Sequence, residues 1–137
     1  MKIVISDTGK VEQLQEQFSA EFPYLKLEFF SRPHQVGHGT ARGLMKTNAQ
    51  TIGEYRTVKN KGHVNIKPEM TVAELEQQFR ERYGLNVQVF RKSGKVWLET
   101  TVTDNWTLEQ QNSQGEALSN LHFTRPTNNG QSGSERL

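Results

Sequence analysis

A mixed α+β fold with a mainly antiparallel sheet is what the sequence predicts. Three observations carry that expectation: a strand–helix–strand pattern that occurs twice, an apolar stripe at helical spacing in each copy, and one further strand joined by a short turn. The copies span residues 2–30 and 63–90. Ile3 aligns with Val64, Ile5 with Ile66, Val11 with Val72, Leu14 with Leu75 and Phe18 with Phe79, without a gap. After a one-residue deletion, residues 25–30 align with 85–90.

Each element follows from local chemistry. Ile3/Ile5 and Val64/Ile66 alternate with polar residues, as half-buried strands do. Val11, Leu14, Phe18 and Phe22 recur at steps of three and four, as do Val72, Leu75, Phe79 and Tyr83, so each set forms one stripe of an amphipathic helix. Thr71 and Glu74 form a capping box at the second helix, and Asp7 or Thr8 is expected to cap the first. Pro23 and Gly84 stop the two helices. Leu25/Leu27/Phe29 and Leu85/Val87/Val89 then alternate as second strands. A last strand, 96–102, follows through a Ser93-Gly94 turn, which sets Phe90 opposite Trp97 and Val89 opposite Leu98. The sum is a ferredoxin-like βαββαβ duplication with an additional C-terminal hairpin strand, its two helices on one face of the sheet. The alternative is a β-grasp formed by the second copy with the first half packed beside it.

At 137 residues, one α+β domain over 1–123 is expected, with a disordered tail at 124–137 that holds no apolar residue before Leu137. Between the copies, residues 31–62 lack apolar periodicity and read as a long loop, with one short helix at 52–58 opened by Thr51 and Glu54. Six cations, Arg32, Arg42, Lys46, Arg56, Lys59 and Lys61, face only Glu54 there, a segment of net charge +5 in a chain of net +2. No stretch is apolar enough for a transmembrane helix, the start lacks the pattern of a signal peptide, and there is no cysteine. Together these point to a cytoplasmic protein without disulfides or thiolate metal sites.

No catalytic constellation emerges. The run Gly37-His-Gly-Thr-Ala-Arg-Gly43 approaches a dinucleotide fingerprint, but its third glycine falls one residue late and no strand leads into it. His34, His38 and His63 lack the acidic companions of a metal site, and Asp7 is explained by capping. No metal and no cofactor is therefore expected.

The other face of the sheet is more informative. If Leu25, Leu27, Phe29, Leu85, Val87, Val89, Val96 and Leu98 face the helices, then Phe30, Phe90 and Trp97 face away. Something must cover those aromatics or bind them. One reading has Trp106, Leu108, Leu118, Leu121 and Phe123 folding back over them; another joins two copies of the chain there. The leading functional expectation is a non-enzymatic binding or regulatory domain that meets a protein partner, or itself, through this face. The alternative is a nucleic-acid module in which Phe30, Phe90 and Trp97 stack bases while Arg32, Arg42, Lys59 and Lys61 neutralise phosphates. Aromatics on the second and fourth strands depart from the RNA-recognition motif, which places them on the first and third. A third reading, a phosphate- or nucleotide-handling enzyme, needs Arg32, His38 and Arg42 to converge on a cleft.

Overall fold

The computed structural model describes residues 1–30, 51–56, 58 and 60–120. In chain order these form β1 (Lys2–Ile5), α1 (Val11–Glu21), β2 (Leu25–Phe30), a 3-10 turn (Ile52–Tyr55), β3 (Gly62–Asn65), α2 (Val72–Tyr83), β4 (Asn86–Ser93), β5 (Val96–Glu99) and α3 (Leu108–Asn120). The α+β class is as expected, and every ladder is antiparallel. The doubled unit predicts one continuous ferredoxin-like sheet; the strands instead form two sheets, β1-β3 and β2-β4-β5. β3 and β4 do not pair with each other, so the second half builds no β-grasp sheet of its own. Each half gives its first strand to one sheet and its second strand to the other. Ile3 lies opposite Val64 and Glu28 opposite Gln88, one aligned pair within each ladder.

The two helices form where the stripes lie. Val11, Leu14 and Phe18 of α1 and Val72, Leu75, Phe79 and Tyr83 of α2 are all buried. They close over Ile3, Ile5, Val64 and Ile66 from one sheet and Leu25, Leu27, Phe29, Leu85, Val87 and Val89 from the other, in one continuous core. Phe29 meets Phe79 and Tyr55 edge-on, at centroid distances of 6.2 and 5.7 Å. At α2, Glu74 N donates to Thr71 Oγ1 (3.1 Å) and Thr71 N to Glu74 Oε1 (2.9 Å), the expected capping box. Gly84 ends α2 in the left-handed conformation at φ +62°, open to glycine without a Cβ penalty.

Asp7 does not cap α1, whose N-cap is Lys10 with no side-chain bond. It pairs instead with Arg56, whose Nε and Nη2 lie 2.9 and 2.8 Å from Asp7 Oδ1. Arg56 is therefore no solvated member of a basic loop: its side chain is fully buried, and Nη1 also donates to Asn60 Oδ1 and Tyr83 O. That cation ties the start of α1 to the end of α2. The short helix expected at 52–58 is one 3-10 turn, closed by the Thr51/Glu54 capping box.

α3 is a third helix, which lies outside the doubled pattern. Thr107 and Gln110 cap it reciprocally, with Gln110 N to Thr107 Oγ1 at 3.0 Å and Thr107 N to Gln110 Oε1 at 2.9 Å. It packs on β4 beside the end of β2, and Gly115 makes that approach possible. A Cβ at Gly115 would lie 2.8 Å from Tyr24 Cβ and 3.1 Å from Lys92 O. Tyr24 N donates to Asn112 Oδ1 (2.8 Å) and Gly94 N to Ser119 Oγ (3.2 Å), fixing the helix along its length. Residues 31–50 of the expected 31–62 insert, and the whole of the tail expected at 124–137, lie outside the described residues.

Candidate functional site

The β4–β5 hairpin turns one residue later than expected, which moves each pairing partner by two. Gly94 takes φ +65°, so Ser93 pairs with Val96, Lys92 with Trp97, Arg91 with Leu98 and Phe90 with Glu99. Phe90 therefore lies opposite Glu99, not Trp97. A shift of two keeps every side chain on its intended face, whereas a shift of one would invert the strand. Phe90, Lys92, Trp97 and Glu99 thus share the outer face with Lys26 and Glu28 of β2. Lys26 Nζ stands 4.8 Å from the Trp97 ring centroid and 5.7 Å from that of Phe90, and 3.2 Å from Glu28 Oε2.

Phe90 and Trp97 are thus brought together, with Lys26 between them, a cation that parity along β2 places on this face. Phe30 does not join them. It pairs with Asn86, four residues further along β2 and about 13 Å away at the usual strand rise, and is 2% exposed. The outer face is closed at that end. Gln88 beside it is also buried, and Thr101 Oγ1 reaches Gln88 Oε1 at 3.5 Å. Trp97 is 36% exposed. Val96 and Leu98, expected against the helices, are 55% and 41% exposed, because no helix among the described residues extends over β5.

Of the expected self-cover, Trp106 and Leu108 lie on the helix side of the sheet. Arg91 shares the inner face with Leu25 and Val89, and its guanidinium lies 5.7 Å from the Trp106 ring. Arg91 Nη1 donates to Gln111 Oε1 (2.8 Å), and Gln111 Nε2 to Thr103 O (2.7 Å). Leu108 is fully buried in the helix-side core. The segment after β5 thus wraps the β4 edge to the helix side, and Leu121 and Phe123 lie outside the described residues.

Strand edges differ in how they are met. On β2, Gln15 Nε2 donates to Leu27 O (2.7 Å) and Ser19 Oγ to Leu25 O (2.9 Å), so α1 closes that edge. On β4 beyond the hairpin, Val89 N donates to Glu76 Oε2 (3.2 Å) and Thr100 Oγ1 to Val89 O (2.8 Å). β5 has a strand neighbour on one side only among the described strands. Lys92 N donates to Tyr24 O, toward β2, so Lys92 and Trp97 form a non-hydrogen-bonded pair. The N–H and C=O of Trp97 therefore point outward, and those of Glu99 follow by the two-residue period.

Glu76 is a carboxyl held far from its ordinary range. Burial raises it from 4.5 to about 7, the Val89 N–H and Arg80 pull it down, and Asp104 and Glu99 push it up. Among the described residues no group of three His, Cys, Asp or Glu is placed to hold a metal ion. Of the sequence-derived cations, Lys61 is exposed just ahead of β3 in the other sheet, while Arg32, Arg42 and Lys59, with His34 and His38, lie outside the described residues. Among the described residues no helix is long and apolar enough to cross a membrane. No protein-family model, curated protein or solved structure matches this chain.

Proposed function

We propose that this chain is a non-enzymatic binding domain that acts through protein–protein contact at the outer edge and face of β5. One observation carries the reading. β5 exposes all four of its residues, three of them apolar, while turning the Trp97 backbone groups outward. An exposed apolar edge strand is an invitation to pair with another chain, and folded proteins ordinarily blunt such an edge with charge, proline or a covering element. Here α1 closes the edge of β2, and Glu76 and Thr100 close what remains of β4.

Reading the chain as two tandem strand–helix–strand units supports the same conclusion. β1 through β4 then pair off between the halves, and β5 is the strand without a counterpart. The nucleic-acid alternative draws less support, because Lys61 belongs to the other sheet and the aromatic pair is occupied by Lys26. A cytoplasmic setting accords with the absence of cysteine.

The test is a photoreactive amino acid placed at position 98, with position 4, the exposed valine of β1, as control. Irradiation of cells that make the protein should give discrete adducts at 98 and none at 4. Equal or absent labelling at the two positions refutes the reading.

A further inference from the structure

We infer that the strand which completes β5 is β5 of a second copy, paired antiparallel about a two-fold axis through Trp97. This rests on the docking role given to β5 above and names its partner. The register follows from self-complementarity. With Trp97 opposite Trp97 of the second copy, Lys95 falls opposite Glu99 and Val96 opposite Leu98, and each pair occurs twice because the interface is isologous.

Three features of the strand fit that register. Trp97 directs its N–H and C=O to the open edge, so the axial pair is a hydrogen-bonded one with two N–H···O=C bonds across it. Lys95, in the turn just ahead of β5, and Glu99, at its end, stand two residues either side of Trp97 with opposite signs, so this register brings opposite charges together at both ends and sets the two indoles on the outer face beside Lys26 of each copy. On the inner face, Val96 and Leu98, 55% and 41% exposed, cover one another at the closer, non-hydrogen-bonded spacing. A shift of one residue in either strand sets Trp97 against a neighbour on the opposite face and separates Lys95 from Glu99. The result is a six-stranded sheet, β2-β4-β5 continued into β5-β4-β2 of the second copy.

Sedimentation velocity of the full chain from micromolar to millimolar concentration tests this. The wild type should pass from monomer to dimer as concentration rises. Lys95→Glu places two like-charged pairs in the interface and should raise the dimer dissociation constant roughly tenfold. Adding Glu99→Lys to that variant reverses both partners and should restore the wild-type value. Both positions face solvent, and a far-UV spectrum checks that each variant is folded. A dimer indifferent to the reversal overturns the register. A chain that stays monomeric while position 98 still yields adducts of other than doubled mass overturns self-pairing and leaves the docking role standing. A monomer without adducts removes both.

Discussion

Removing the charge of Glu76 should make the protein more stable at neutral pH and leave it unchanged in acid. The carboxyl sits on α2 against the β4 edge, where its Oε2 accepts from Val89 N at 3.2 Å, and burial raises it to about 7. Asp104 and Glu99 add negative potential, and Arg80 supplies a partial counterweight. Between about 4.5 and 7 the folded state keeps a proton that the unfolded chain has released. Stability is then fully present below the unfolded value and falls by about 1.4 kcal/mol per pH unit until the folded value is passed. The ceiling is about 3 kcal/mol, and partial solvent access brings the expected figure to about 2 kcal/mol. Glu76→Gln keeps an oxygen to accept from Val89 N–H and carries no charge at any pH. Urea titrations followed by tryptophan fluorescence, run on both proteins from pH 4 to pH 8, isolate the effect, because the other carboxylates cancel in the difference. The variant should gain its about 2 kcal/mol above pH 7 and nothing near pH 4. Parallel stability curves would show that Glu76 is ionised in the fold, and the argument would fail.

Three further outcomes are expected. Phe79→Ala, at a fully buried site between α2 and Phe29, should cost about 3–5 kcal/mol in a urea titration, and a loss under about 1 kcal/mol would mean that α2 is not packed as described. Gly115→Ala should destabilise by about 1–3 kcal/mol despite the better helix propensity of alanine, since its Cβ meets Tyr24 and Lys92 O; a gain in thermal midpoint would refute the close approach. Asp7→Ala leaves the buried Arg56 guanidinium without its ion-pair partner and should cost about 3 kcal/mol, whereas a change below about 1 kcal/mol would place Arg56 in water.

How much of this could be read in the sequence depended on the range of the interaction. Period and punctuation are local, so the stripes of α1 and α2, the Thr71/Glu74 box and the Gly84 stop were legible, and every residue of the two inward sets on β2 and β4 is buried. Parity was legible too: the hairpin register shifted by two residues, yet Trp97 stayed on its face. What alternation cannot say is whether anything packs on a face. Val96 and Leu98 alternate like core residues and are exposed; Phe30 shares a face with solvent-facing neighbours and is buried. Asp7 and Arg56, 49 residues apart, carry no mutual signal, so one resembled a cap and the other a loop cation. Gly115 carries no local sign of packing, yet its missing side chain is what admits α3 to β4.

The same distinction explains why β5 is the place to look for function. Its sequence, Val-Trp-Leu-Glu, differs little from strands that the core covers on one side. Burial has been supplied to β2 and β4 by α1, α2 and α3, and edge hydrogen bonds by Gln15, Ser19, Glu76 and Thr100. None of those groups reaches the far side of β5. A four-residue strand with apolar side chains on both faces gains little by standing alone, since an isolated edge leaves its amides to water and its side chains unpacked. Another strand would satisfy both at once, and Lys95 and Glu99, two residues either side of Trp97 with opposite signs, make the strand its own complement. Selection for solubility alone would have placed a lysine or a proline at position 97; a tryptophan there is the residue type most enriched where one protein surface closes on another.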